Sequence, residues 1–401
     1  METRTVKLGD LSSDLKGQYG INASAVPLRT TLPTYLRITD IDDFGRIKHD
    51  GLCSVETDEL NKYSLREGDL VFARTGNSTG RNYWYDSHDG NFVFAGFLIR
   101  FHFEETEELV PRFLKYYVQS TEYYDWIEGF STGSTRKNLN ARDYGNLPVV
   151  LPPKAYQQKV VAILDMIENK ILLNQQINKN LLKLIDNIYL RKYFTNSQVI
   201  SASHVTLANL VNTKTKTFNP KKTSETLVNH FSMPAFDKDH YPVADKVTSI
   251  KSNKNIVDPF SVLVSKMNPQ VKRVWLPNVS DKVLNVASTE FLNFNADSAK
   301  MQAFIYAVVN NKSYQQFLIS NATGSTNSRQ RVLPRVAYSF QIAFNKTSAE
   351  MLGELLVPFL KKIKLIKYEN QKLNKLRILL LPKLLSGSID LSGIEEVIKD
   401  A

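Results

Sequence analysis

The stretch VVAILDMIENKILLNQQINKNLLKLIDNI, Val160 to Ile188, decides the fold. Positions 160, 164, 167, 171, 174, 178, 181, 185 and 188 hold Val, Leu, Ile, Ile, Asn, Asn, Leu, Ile and Ile, and this alternation of four and three residues predicts the seam of a coiled-coil helix. Leu151-Pro152-Pro153 marks its start, because proline is tolerated only at the opening of a helix. Asn174 and Asn178 interrupt the stripe. They have two readings: polar residues that fix register at some cost in stability, or plain solvent exposure.

The stretch has a second copy. An interval of 191 residues superposes Leu164 on Leu355, Lys170 on Lys361, Leu182 on Leu373, Leu190 on Leu381 and Lys192 on Lys383 without insertion, and it carries Thr132-Gly133-Ser134-Thr135 onto Thr323-Gly324-Ser325-Thr326. Thr347-Ser348-Ala349-Glu350 has the pattern of a capping box. Leu352, Leu355, Phe359, Ile363, Ile366, Leu373, Leu376 and Leu380 are expected along one side, with Pro358 kinking the first turns. Two helices of roughly 35 residues would each run about 50 Å, longer than either globular segment needs for its own core, so their stripes most simply pair with each other.

Working outward, the segments before each helix are related more loosely. Val6-Lys7-Leu8-Gly9-Asp10-Leu11 resembles Val205-Thr206-Leu207-Ala208-Asn209-Leu210, and Asp69 to Arg74 resembles Ser261 to Lys266. Short β-branched and aromatic runs at Tyr35–Ile41, Asp69–Arg74, Phe92–Phe103, Phe260–Lys266 and Lys272–Leu276 predict strands, and Pro111–Gln119 and Ser298–Ser320 have helical spacing. The fold class is α+β: two globular α/β domains separated by two long helices whose apolar stripes pair, with a pseudo-two-fold internal repeat. The boundaries are 1–150 for the first domain, 151–195 for the first helix, 196–344 for the second domain, 345–387 for the second helix and 388–401 for a C-terminal tail.

Composition narrows the function. The 401 residues are 42% hydrophobic and 23% charged, which excludes a disordered or fibrous chain. Lys and Arg number 51 against 40 acids, a net charge of +11 that favours a polyanionic partner. Cys53 stands alone with six His, so no intrachain disulfide and no cysteine-rich zinc site is expected, and the chain reads as one for a reducing compartment. The N-terminus lacks a signal-peptide layout and no apolar run approaches ~20 residues, so a soluble, cytoplasmic protein without a membrane partner is expected.

Catalytic signatures are missing. Neither Gly129–Thr135 nor Gly324–Arg331 supplies the lysine of a phosphate loop, and Asp258-Pro259-Phe260, Asn219-Pro220-Lys221 and Asn268-Pro269-Gln270 fall short of the Asn-Pro-Pro-Tyr motif of an amino-methyltransferase. Asp40, Asp42, Asp43 and Asp50 with His49 read as a surface loop rather than a metal-dependent nuclease. No catalytic residue, metal site or cofactor is assigned to the chain.

Four loops combine cations with small polar residues suited to DNA. Thr132, Ser134, Thr135, Arg136, Lys137 and Asn138, and in the second copy Ser325, Thr326, Asn327, Arg329 and Arg331, offer hydroxyls and positive charge to phosphates and bases. Arg74–Arg81 follows a predicted strand and contributes Asn77 and Arg81; Lys266–Arg273 occupies the corresponding place and contributes Gln270, Lys272 and Arg273. Each loop also fits an ordinary turn, since Gly and Asn serve turn geometry whatever the function. Lys361, Lys362, Lys364, Lys367, Lys372, Lys375, Arg377 and Lys383 face only Glu369, and this run reads as a solvated helix face, with DNA backbone or an acidic partner as the alternative. The aromatics Tyr116, Tyr117, Tyr123, Tyr124 and Trp126 read as core.

The whole plan resembles the specificity subunit of type I DNA restriction-modification systems. The residues that carry the resemblance are Tyr35–Ile41, Leu65–Val71, the two Thr-Gly-Ser-Thr loops, Leu151-Pro152-Pro153 with Gln157-Gln158, and Leu381–Gly387, in that order and duplicated. The second copy departs where Met233-Pro234-Ala235 replaces Thr39-Asp40-Ile41 and where Ile342-Ala343-Phe344 replaces Leu151-Pro152-Pro153. The resemblance implies that the globular segments are target-recognition domains, each reading half of an asymmetric, divided site in double-stranded DNA, and that the two long helices form an antiparallel coiled coil that fixes the gap. It implies partnership with two methyltransferase and two restriction/translocase subunits, which bring S-adenosylmethionine, ATP and Mg²⁺. The other readings are a self-contained restriction or methyltransferase chain, and a helical scaffold that does not bind DNA.

Overall fold

The structure, a computed structural model, describes residues 2–14, 16–49, 51–130, 138–279, 282–324 and 330–391. The chain forms two compact units, residues 1–169 with 375–401, and residues 170–374.

In the first unit, Arg4–Lys7 pairs antiparallel with Pro148–Leu151, so the globular part opens and closes on one two-stranded ribbon. Between them lie two four-stranded sheets. One runs Gln18–Tyr19, Leu98–His102, Asp69–Ala73, Asn82–Trp84; the other runs Ala25–Pro27, Cys53–Val55, Thr34–Leu36, Phe92–Phe94. The strand Asp69–Ala73 follows its first residue with the short apolar run Leu70 to Ala73 and is buried along its length, with neighbours on both sides. Pro111–Tyr117 starts with proline at its first turn, and Thr121–Glu128 is capped by the Ser120 hydroxyl, which accepts from the Tyr123 amide at 3.1 Å. Phe72 stacks on Tyr144 at 4.6 Å, and the core they share takes in Val160, Leu164, Leu381 and Leu384 from the long helices.

The second unit repeats the plan. His204–Thr206 pairs antiparallel with Gln341–Ala343. Ser261–Ser265 lies between Val274–Trp275 and Phe291–Asn295, as Asp69–Ala73 lies between Asn82–Trp84 and Leu98–His102. A five-stranded sheet runs Thr217–Phe218, Lys254–Ile256, Leu284–Ala287, Leu227–Phe231, Val243–Lys246. Its strand Leu227–Phe231 has an antiparallel neighbour at Val243–Lys246 and a parallel one at Leu284–Ala287. Thr34–Leu36 has the same two kinds of neighbour, antiparallel Cys53–Val55 and parallel Phe92–Phe94. The halves therefore share a three-stranded kernel and differ in the strands added outside it.

Two long helices, Lys154–Tyr189 and Lys346–Leu385, complete the architecture. Within each unit they run antiparallel. In the first, the Tyr156 hydroxyl donates to the Leu384 carbonyl at 2.9 Å. In the second, Asn174 meets Asn370 near one end while Tyr193, just past the first helix, donates to the Ala343 carbonyl before the second helix begins. On the first helix Val160, Leu164, Ile167, Ile171, Asn174 and Ile185 are buried and Asn178, Leu181 and Ile188 are half-buried, so the seam read from its spacing is tight at six of its nine positions.

The second helix departs from its reading in two respects. Its buried line is Leu352, Leu356, Leu360, Ile363, Ile366, Arg377, Leu381 and Leu384, whereas Leu355 and Leu376 are 46% and 44% exposed. Its cap is Asn345, whose side-chain oxygen accepts from the Ser348 amide at 2.9 Å, so the helix begins earlier than the Thr347 box implied. It continues through Pro358 as one element. The basic run is likewise not one solvated face. Arg377 is buried at 4% exposure, with its guanidinium 4.9 Å from the Phe44 ring, and desolvation lowers the Lys364 and Lys367 ammonium groups to about 8. The predicted helix Ser298–Ser320 is two helices, Ala299–Asn310 and Lys312–Ser320, because Asn311 caps the second by accepting from the Ser313 amide.

Candidate nucleic-acid interface

The loops singled out in sequence meet in pairs, one pair in each unit. In the first unit the strand Asp69–Ala73 runs into the loop Arg74–Arg81, which is closed by the Ala73 amide donating to the Arg81 carbonyl at 2.8 Å. Gly76 turns this loop with φ of +72°, where a side chain would be disfavoured. Thr75 bridges Asn138, and the Leu139 amide donates to the Arg74 carbonyl at 2.9 Å, so the end of the Thr-Gly-Ser-Thr loop lies beside the Gly76 turn.

The second unit builds the same junction from different residues. The Ser265 amide donates to the Arg273 carbonyl at 3.0 Å, Met267 bridges Arg331, and the Val332 amide donates to the Lys266 carbonyl at 2.9 Å. Asn268, 192 residues after Gly76, has φ of +44°, and Asn is among the few residues that tolerate this region. Each unit thus presents a left-handed turn beside the tail of its Thr-Gly-Ser-Thr loop.

The side chains differ. Asn77 is exposed on the 3₁₀ turn Gly76–Ser78. Asn138 is exposed and accepts from Arg74 Nη2 at 3.3 Å, and the Arg74 guanidinium lies 4.9 Å from the ring of Tyr19. In the second unit Gln270 donates to Gln330 Oε1 at 2.8 Å, Lys272 Nζ to the Asn310 carbonyl at 2.5 Å, and Arg331 Nη2 to Glu290 Oε1 at 3.1 Å. Arg81 and Arg273 are each held by an aspartate, Asp43 and Asp237 respectively. Thr132, Ser134, Thr135, Arg136, Lys137, Ser325, Thr326, Asn327 and Arg329 lie outside the described residues.

Exposed amides and guanidinium forks on closely spaced turns match the paired donors and acceptors of base edges, and the cations suit phosphates. Among the described residues no group of three or more His, Cys, Asp or Glu is placed to hold a metal ion. Sequence reasoning did not single out Tyr19, Gln330 or Asp237, took Arg74 only as the start of a loop and read Asp43 as part of a surface loop. The interval of 192 residues that joins Gly76 to Asn268 and Arg81 to Arg273 is the signal that would have aligned the two turns residue by residue.

Residues 45–183 match the family described as the type I restriction modification DNA specificity domain. No curated protein sequence matches the chain. Among solved structures, the S subunit of a type I restriction-modification system from M. genitalium is similar with a TM-score of 0.54 at 14% identity, over 96% of this chain and 96% of that one. The HsdS subunit from Thermoanaerobacter tengcongensis aligns with a TM-score of 0.34 at 15% identity, over 96% of this chain and 97% of that one. At 14% identity the likeness to the M. genitalium subunit is one of fold. Among the described residues no helix is long and apolar enough to cross a membrane.

Proposed function

We propose that the chain is a specificity subunit of a type I restriction-modification system, a recognition subunit rather than a catalyst, as the family match over residues 45–183 supports, and that its two junctions of turn and loop each read one half of a divided DNA target. The observation that carries this is the duplication of one backbone junction with different side chains. Gly76, Asn77, Arg81 and Asn138 in one half answer to Asn268, Pro269, Arg273 and Arg331 in the other. Equal scaffolds with unequal side chains fit two related readers that recognise different bases, so the two half-sites differ and the target is not a palindrome.

In this reading the globular parts, residues 1–150 and 196–344, are target-recognition domains, and the helical parts, 151–195 and 345–387, set the interval between half-sites. The contact residues are Asn77, Arg81, Asn138, Gln270, Lys272, Arg273 and Arg331, together with Thr132, Ser134, Thr135, Arg136, Lys137, Ser325, Thr326, Asn327 and Arg329 in the Thr-Gly-Ser-Thr loops. The chain works in the cytoplasm with double-stranded DNA, two methyltransferase subunits and two restriction subunits, and those partners carry S-adenosylmethionine, ATP and Mg²⁺. The net charge of +11 supports the DNA partner.

The test is a genome-wide map of modified bases in a host that expresses the chain with its methyltransferase partner and lacks other modification. A divided target with two unlike halves is expected. A short continuous palindrome, or modification independent of this chain, overturns the proposal.

A further inference from the structure

Resting on that reading, we propose that Asp43 and Asp237 are positioning residues for specificity, each holding one reading arginine in the orientation that recognises a single base. Asp43 Oδ1 accepts from Arg81 Nε at 2.9 Å and lies 2.7 Å from Nη2. Asp237 accepts from Arg273 Nε at 2.6 Å through one oxygen and from Nη2 at 2.9 Å through the other. In both pairs the carboxylate takes the Nε side of the guanidinium. Nη1 of Arg273 has no protein partner among the described residues, and Nη1 of Arg81 makes only long contacts, 3.4 Å to the Ile41 carbonyl and 3.5 Å to the Ser78 hydroxyl.

The two aspartates reach their arginines from different carriers. Asp43 is presented by the turn Asp42–Arg46, in which the Asp42 side chain accepts from the amides of Phe44 and Arg46 and Gly45 has φ of +72°. Asp237 sits on the helix Met233–Asp239, capped by Ser232. A turn in one half and a helix in the other deliver the same carboxylate to the same arginine of the junction. Stability is a poor reason for such a coincidence, because partly exposed ion pairs add little to it.

Recognition is a better one. A guanidinium gripped along its Nε side leaves its terminal Nη1 and Nη2 edge unspent by that grip, the geometry that reads O6 and N7 of guanine, although the side chains themselves are only 26% exposed in Arg81 and 14% in Arg273. The grip also removes most of the rotamer freedom a long side chain would lose on binding. The carboxylate, 67% exposed in Asp43 and 47% in Asp237, repels phosphates and so weakens contact with DNA of the wrong sequence.

The experiment uses the full chain assembled with its methyltransferase partner, comparing wild type with Asp43→Asn, Asp237→Asn and Asp237→Glu, each near-isosteric or charge-conserving. Modification maps and competition binding with duplexes altered at one base are read together. Asp237→Asn is expected to lose about tenfold in discrimination at one guanine of one half-site while the other half-site stays intact; Asp43→Asn does the same in the other half, and Asp237→Glu restores most of the selectivity. Unchanged discrimination in both Asn variants, tighter binding to the proper target, or loss of modification spread evenly over both half-sites overturns the inference while leaving the divided target standing. A wild-type map without a divided target overturns the functional reading itself.

Discussion

Asn174 of the first long helix donates its amide to Asn370 of the second at 2.8 Å, inside the seam of the helix pair. The same amide reaches Glu369 at 3.0 Å, and Asn370 donates in turn to the Ile171 carbonyl at 3.5 Å. Of the two readings its sequence allowed, Asn174 takes the buried one, with 1% exposure. Replacing it alone with Leu leaves Asn370 without its partner and is expected to destabilise the chain by about 1–3 kcal/mol. The pair Asn174→Leu with Asn370→Leu should recover that loss, since a matched apolar seam has no unpaired amide. Urea denaturation of the single and double variants checks both outcomes.

Glu168 is 5% exposed among cations: Lys115 Nζ at 2.7 Å and Arg46 Nε at 3.7 Å, with Arg377 also near. Burial alone would raise its carboxyl, but Lys115 first and then Arg46 and Arg377 outweigh burial and hold it below the ordinary value. A carboxyl lowered in the folded state contributes stability above its unfolded pKa of about 4.3 and loses it as pH falls through the folded value. Glu168→Gln should cost about 3–5 kcal/mol at neutral pH, because three cations lose their counter-charge. It should also flatten the acid limb of the stability curve. Denaturation followed from pH 7 to pH 3 is the measurement.

Lys367 behaves oppositely. Desolvation lowers it to about 8, and it lies close enough to His240 to help depress that imidazole to about 4, after the larger effect of burial. Between pH 8 and about 10.4 the unfolded chain binds the proton that the folded chain has lost, so stability rises with pH across that window. Lys367→Met should stabilise the chain at pH 7 by about 1–2 kcal/mol, discounted for partial solvation, and should reduce the alkaline rise to the share that Lys364, lowered to about 8 as well, contributes. A thermal unfolding series from pH 7 to 10 separates the two outcomes.

Inserting four residues, about one turn, into each long helix at matched positions is expected to change the number of unread bases between half-sites and to leave the flanking bases alone. The modification map of an active complex reads this directly. An unchanged interval refutes the role given to the helices.

Legibility varied with the range of the interaction. The seam of Lys154–Tyr189 was readable because the alternation of four and three holds in one register from Val160 to Asn174, even though Ile171-Leu172-Leu173 and Leu184-Ile185 also place apolar residues off it. The seam of Lys346–Leu385 was misread by one position at Leu355 and Leu376, because Leu355-Leu356, Phe359-Leu360 and Ile378–Leu381 offer apolar residues to more than one face. Only contact with a partner surface selects among such faces. The loops Arg74–Arg81 and Lys266–Arg273 were legible as counterparts; that both turn through a left-handed residue, Gly76 and Asn268, was not, because two different residue types meet one backbone demand.

By itself the sequence determined the duplicated plan, the α+β class, the first helix and the loops that carry the candidate contacts, since each follows from a local period or a repeat that needs no folded neighbour. Tertiary structure decided which loops adjoin, that Arg377 turns inward, that Asn345 caps the second helix, and that Arg81 and Arg273 are gripped by Asp43 and Asp237. The physical reason is distance along the chain. A carboxylate 38 or 36 residues from its arginine leaves no periodic mark in sequence, and only packing brings the two within hydrogen-bonding reach.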